Sequence, residues 1–164
     1  MSKRFNLREF QQGLLDRMQR QAASGIQIAT LGILIGKDNW LVEMSDISEV
    51  LSLPELTSVP LTKSWYCGVA NVRGNIYSIT DLSAFLDCGV TSHDAQSRVL
   101  LVGQKFNFNA GLLVSKVLGL RNASGWEQSE QDGVNFYQDD EGQKWQKLDI
   151  RQLIQRPEFI QIGV

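Results

Sequence analysis

The apolar positions of this chain change period once, near residue 26. Before it the spacing is helical. Leu7, Phe10, Leu14 and Met18 fall on one face. Asn6 is a candidate N-cap with Glu9 at N3, as in a capping box, and Phe5 and Phe10 stand where a hydrophobic staple forms. Gly13 weakens the helix interior, and Ala22-Ala23-Ser24-Gly25 is a stop. The pattern predicts a helical extension over 1–25. Its apolar stripe either packs on the body of the protein or docks a partner; packing is favoured, because an exposed stripe invites aggregation.

From residue 26 the pattern is β. Ile26-Gln27-Ile28 through Ile35 is apolar and partly β-branched, Gly36 to Asn39 reads as a turn, and Trp40 to Met44 returns the chain. Pro54 and Pro60 bracket a loop. Val69–Val72 and Ile76–Thr80 predict a hairpin around a Gly74-Asn75 turn, and Asp81 can cap a short helix with Leu82, Phe85 and Leu86 on one face. Residues 89–97 are small and polar and read as a linker.

The pattern then recurs. Ile35-Gly36-Lys37 aligns with Val102-Gly103-Gln104, and Ile47–Leu53 with Val114–Leu120, both 67 positions later. Gly74 aligns with Gly142, and Asp81-Leu82 with Phe85-Leu86 aligns with Asp149-Ile150 with Leu153-Ile154, both 68 positions later. A constant offset over separate blocks predicts an internal duplication. Each half then holds several short strands closed into a small barrel and ends in a short helix, capped by Asp81 in one and Asp149 in the other.

Composition narrows the function classes. A chain of 164 residues, 43% hydrophobic and 21% charged, can bury a core without a disulfide or metal staple. The net charge of −2 offers no global attraction to nucleic acid or anionic lipid. No apolar run reaches the ~18 residues of a membrane span, and the first residues lack the apolar core of a signal peptide. The cytoplasm is the expected compartment, with Cys67 and Cys88 reduced. The charge is uneven: residues 1–20 carry five basic against two acidic side chains, and residues 124–149 two basic against seven acidic. This reads more simply as two solvated surfaces than as a steering device.

Catalytic raw material is sparse. There is no phosphate-binding glycine loop and no nucleophile elbow. His93, the one histidine, falls in the linker, so histidine acid–base chemistry and a zinc site have little to draw on. Cys67 beside Gly68 is the one candidate nucleophile of a small β-barrel enzyme, but as a strand residue it reads better as a small apolar side chain. Trp40, Trp65, Trp126 and Trp145 admit a nucleic-acid-binding barrel, against which the acidic second half counts. Two charged residues stand among apolar neighbours, Glu49 and Arg73. Each either faces solvent or pairs with the other, since an arginine fork can fix two loops together through a carboxylate.

The stretch Gly68-Val69-Ala70-Asn71-Val72-Arg73-Gly74, followed by Ile79-Thr80-Asp81-Leu82, resembles the G-x-x-N-Φ-R-G…D-L signature of CheW-like domains. Ile47-Ser48-Glu49-Val50, Arg98–Val102 and Gly111–Val114 resemble further segments of that family, over about residues 27–156. The segment Trp65–Gly74, the N-terminal extension and Arg156-Pro157-Glu158-Phe159 most resemble the branch that serves type IV pilus systems and twitching motility. The resemblance implies a mainly β fold of two small five-stranded SH3-like barrels around a shared core. Its halves, about 26–90 and 97–156, are intertwined within a CheW-like domain spanning 26–164. It implies a non-enzymatic adaptor, with no cofactor, no metal and no catalytic residue. The adaptor couples the cytoplasmic tip of a methyl-accepting chemoreceptor to the regulatory domain of a CheA-like histidine kinase, at membrane-associated receptor arrays but without inserting into the membrane or binding nucleic acid. It implies a Glu49–Arg73 ion pair at a receptor-binding face made of Glu49, Asn71, Arg73 and Gly74. Ser115 and Lys116 depart from the family, where an acidic residue commonly follows the valine, and residues 122–138 are an atypical insert.

Overall fold

The computed structural model describes residues 11–15 and 29–164. The strands are β1 (Thr30–Ile35), β2 (Asp38–Glu43), β3 (Ile47–Ser52), β4 (Tyr66–Val72), β5 (Asn75–Asp81), β6 (Arg98–Val102), β7 (Ala110–Val114), β8 (Lys116–Arg121), β9 (Glu127–Gln131), β10 (Val134–Gln138) and β11 (Lys144–Leu148). Three short helices are α1 (Leu82–Phe85), α2 (Ile150–Gln155) and α3 (Pro157–Ile160). Residues 11–15 form a helical turn. The capping box, the staple and the other stripe positions Leu7, Phe10 and Met18 lie outside the described residues, as do Ile26 to Ile28.

Two sheets carry the fold, β8-β1-β2-β11-β10-β9 and β3-β6-β7-β5-β4. Each takes strands from both halves of the chain. When β1, β2, β3, β4 and β5 are matched with β6, β7, β8, β10 and β11, the two orders become the same, with the halves exchanged. Even the parallel contact is repeated, β11 on β2 in one sheet and β5 on β7 in the other. The offset seen in the sequence thus has a structural counterpart, two SH3-like barrels that lend each other two strands. The segment 122–138 folds as the hairpin β9–β10, and β9 extends one sheet to six strands. All five residues of β9 are exposed, and its glutamates blunt a free sheet edge.

Alternation along the strands builds two clusters. Val99 and Leu101 of β6 and Leu113 of β7 turn into one barrel against Ala70, Tyr77 and Ile79. Their neighbours Leu100, Val102, Leu112 and Val114 turn the other way, onto Leu31, Ile33 and Ile35 of β1 and Leu148 and Ile150 of the other half. A strand covered on both faces must be apolar at every position, which is why β6 and β7 read as unbroken hydrophobic runs. The shared cluster fixes the two sheets to one another.

Gly68 sits at a register shift in β4, with φ +126°. A Cβ there would lie 2.3 Å from the Thr57 carbonyl oxygen. Only glycine lets the 53–65 loop approach β4, where Thr57 and Val69 exchange both backbone hydrogen bonds. Helix ends follow the aspartates. Asp81 accepts from the Ser83 and Ala84 amides, and Asp149 from that of Gln152. Arg156 leads into α3 with Pro157 at its first turn, and Phe159 is buried among Trp65, Phe85 and Phe108.

Two local expectations are corrected. The hairpin turn is Arg73-Gly74, not Gly74-Asn75: Val72 pairs with Asn75, which places Asn75 inside β5. Residues 89–97 are not a free linker, because Thr91 and Ser97 are buried and Thr91 is bonded to Asp81.

Candidate functional site

A two-residue hairpin loop matches the twist of its strands when both residues take positive φ. Arg73 has φ +54° and Gly74 φ +85°. The glycine adopts this freely; the arginine is held there. Asn71 helps, its Oδ1 accepting from the Gly74 amide at 2.9 Å. The turn therefore places Arg73 just beyond the end of β4 in a fixed backbone conformation.

Arg73 Nη2 donates to Glu49 Oε1 at 2.6 Å. The structure thus brings together Glu49 on β3 and Arg73 on the β4–β5 turn. β3 and β4 are the two edges of their sheet, so the contact joins edges that the ladder leaves apart. The side chain of Arg73 is 65% exposed and that of Glu49 16%. An arginine this exposed gains little net stability from its carboxylate, roughly 0.2–1 kcal/mol. The pair orients more than it stabilises: of five guanidinium N–H donors, the Glu49 contact uses one.

The orientation of Glu49 has its own cause. A bulge between Ile47 and Glu49 leaves Ser48 without a ladder partner. The Ser48 hydroxyl donates to the Leu101 and Val102 carbonyls, although the residue is exposed. The Ser48 carbonyl accepts from Gln11 Nε2 at 3.1 Å, a contact the sequence does not signal.

The corresponding turn of the other barrel is longer, since β10 and β11 pair only as far as Gln138 and Lys144, and it is charged oppositely. Asp139, 68 positions after Asn71, accepts from the amides of Glu141 and Gln143 and organises that turn. It also accepts from Trp145 Nε1 at 2.9 Å, and this bond first, with the turn amides, holds its carboxyl below the usual range. Glu141 stands at the position of Arg73, and Lys116 at that of Glu49; both are exposed. Three ion pairs occur among the described residues, Arg73–Glu49, Lys105–Asp46 and Lys147–Glu43. The tether is therefore present in one barrel and lacks its counterpart in the other.

Of the chemical candidates, Cys67 is half-buried. Burial, then the charge of Asp81, pushes its thiol up to about 11, so little thiolate forms at neutral pH. Cys88 is exposed at the end of α1, its thiol raised by desolvation and by Asp38 and Asp87. His93 is exposed. No group of three His, Cys, Asp or Glu side chains among the described residues could hold a metal. No helix among them is long and apolar enough to cross a membrane.

The fold defines a class first: a β module of two strand-exchanged SH3-like barrels, with an oriented arginine at one hairpin turn. The family follows from comparison. The chain belongs to the CheW-like domain family, whose model matches residues 29–158. It is 33% identical over 116 residues to protein PilI of Pseudomonas aeruginosa, covering 66% of this chain and 65% of PilI. It is 36% identical over 80 residues to protein FrzA of Myxococcus xanthus, 49% of each chain. With the chemotaxis protein CheW of Thermotoga maritima it shares 27% over 94 residues, 57% of this chain and 61% of that one. These matches span less than two thirds of each relative. The crystal structure of the scaffolding protein TtCheW from Thermoanaerobacter tengcongensis superposes with a TM-score of 0.66 at 19% identity, covering 81% of this chain and 96% of that one.

Proposed function

We propose that this protein is a non-enzymatic adaptor of a chemotaxis-type pathway, of the kind that controls type IV pili. It joins the cytoplasmic tip of a methyl-accepting chemoreceptor to the regulatory domain of a CheA-like histidine kinase, and it works beside membrane-associated receptor arrays without entering the bilayer. Membership of the CheW-like family supports the class, and the likeness to PilI supports the pilus branch. No cofactor, metal or nucleic acid enters this reading.

The observation that carries it is the Arg73 turn. Asn71 and Gly74 shape it, Glu49 aims it, and most of the guanidinium remains in solvent. We assign receptor docking to Glu49, Asn71, Arg73 and Gly74. A carboxylate on a receptor helix can take the free donors of the fork. Binding receptor and kinase on separate faces lets the adaptor transmit state by differential affinity, and couplings of ~1–3 kcal/mol suffice.

The test is a pull-down with a purified receptor hairpin-tip fragment. Arg73→Glu is expected to abolish capture while circular dichroism stays unchanged. Wild-type capture by a folded Arg73→Glu protein would overturn the assignment.

A further inference from the structure

The two barrels differ in what fills them. Ala70, Tyr77, Ile79 and Val99 pack the inside of the first. Their counterparts in the second are Gln138, Trp145 and Lys147, 68 positions later, and Gly32, 67 positions earlier. Ile79 thus gives way to a lysine, and Val99 to a residue with no side chain. Trp145 takes part of the space: a Cβ on Gly32 would lie 3.0 Å from its Cζ3 and 3.2 Å from Arg121 Cγ. A recess of about 500 Å³ remains, walled by Leu118, Arg121, Trp126 and Trp145.

The lining points to one kind of occupant. The Trp126 and Trp145 rings stand 5.5 Å apart at 40°, and Trp126 is half-buried. Arg121 already lays its guanidinium over the Trp145 ring, 5.7 Å from the centroid. Asp139, Asp140 and Glu141 line the recess from the turn. Asp140 and Glu141 are exposed and enter no ion pair among the described residues. Three carboxylates against one guanidinium repel an anion, and an indole face attracts a cation. A planar guanidinium can stack on an indole and fork onto a carboxylate at once, which an ammonium cannot. The exposed rim suits a side chain carried by a polypeptide, whereas a free small molecule needs enclosure on most sides.

We propose that this recess docks an arginine side chain of a partner polypeptide, stacked on Trp126 and held by the carboxylates of Asp140 and Glu141. The site lies on the other barrel from the Arg73 turn and is opposite to it in charge. It does not depend on the role given to that turn.

The experiment uses the full chain and three blocked peptides, acetyl-Gly-X-Gly-amide with arginine, lysine or citrulline at X. Binding is read from the indole N–H resonances of the tryptophans. The arginine peptide should shift the Trp126 resonance saturably, and the lysine peptide should bind at least about threefold more weakly. Citrulline has the same shape without the charge and should give no saturable shift. Trp126→Leu, with unchanged circular dichroism, should weaken arginine binding read at Trp145 about two- to fivefold. Asp140→Asn combined with Glu141→Gln should weaken it about two- to fivefold and flatten its salt dependence. Arg73→Glu should bind the arginine peptide like wild type. No saturable shift with the arginine peptide, equal binding of the citrulline peptide, or full binding by both recess variants would overturn the site. Tetramethylammonium binding more tightly than the arginine peptide would also overturn it, in favour of a cage for a small free cation.

Discussion

Thr91 gives both its backbone N–H and its hydroxyl to the carboxylate of Asp81, which is 3% exposed. The same carboxylate caps α1 through the Ser83 and Ala84 amides. One buried side chain thus fastens a helix of the first half to the segment that leads into the second. Asp149, its repeat partner, caps α2 from an exposed position.

Asparagine at the two positions should separate these roles. In Asp81→Asn an amide N–H₂ must face a backbone or hydroxyl donor within a buried site. The loss should be about 2–3 kcal/mol, the penalty of a charge-assisted bond lost and a donor left unpaired. Asparagine is a good N-cap, so Asp149→Asn should change stability by under about 0.5 kcal/mol. Urea denaturation of both proteins measures the difference; equal losses would refute the clamp.

Gly68→Ala puts a Cβ 2.3 Å from the Thr57 carbonyl oxygen at φ +126°. The obstacle is backbone, so no rotamer relieves it. The Thr57–Val69 pairing must open, with an expected loss of about 2–4 kcal/mol. Faster hydrogen exchange at the Thr57 and Val69 amides would locate the damage. A variant as stable as wild type would show that the loop does not need this approach.

How legible all this is in the sequence depends on the range of the interaction. The 67- and 68-residue offsets identify the corresponding strands, because turn and cap residues are local signals. They do not show that β1 and β2 sheet with β8, β10 and β11, since that choice is made by long-range burial of faces such as Ile33 and Leu148. The turn is displaced by one residue for the same reason: Arg73-Gly74 and Gly74-Asn75 are both turn-compatible, and cross-strand register decides. Glu49 and Arg73 stand out as charges among apolar neighbours, and the family signature adds Asn71. Thr91 and Gln11 do not, because a threonine in a polar segment and a glutamine on a helix face carry no mark of their distant partners.

The Asp139–Trp145 bond predicts a pH response. Its folded carboxyl lies below the ordinary value of 3.8, so its contribution to stability is complete above 3.8 and is lost as pH falls through the lower folded value. The indole N–H resonance of Trp145 should titrate with a midpoint below pH 3.8. A midpoint at or above 3.8 would mean that the bond does not favour the ionised form.

The two cysteines should differ toward thiol reagents. Cys88 is exposed, whereas Cys67 is half-buried with its thiol pushed up to about 11. At pH 7.5 the native protein should label at Cys88 and hardly at Cys67. Labelling of Cys67 should rise toward pH 11 or on unfolding. Rapid native labelling of Cys67 at neutral pH would revive it as a nucleophile and count against an adaptor without chemistry.

The ion pair itself should matter far less to folding than to docking. Arg73 is two-thirds exposed, so Arg73→Ala or Glu49→Ala should each cost under about 1 kcal/mol. A double-mutant cycle should give a coupling of a few tenths of a kcal/mol in stability, shrinking with added salt. In receptor-fragment binding, the same cycle should give a coupling of about 1–3 kcal/mol, because Glu49 there sets the direction of donors that a partner carboxylate must meet. Reversing the pair, Glu49→Arg with Arg73→Glu, should then restore stability without restoring binding, since the turn would present an acid to an acid. Binding recovered by the reversed pair would show that the partner reads only the presence of a latch between β3 and β4, and not the charge it displays.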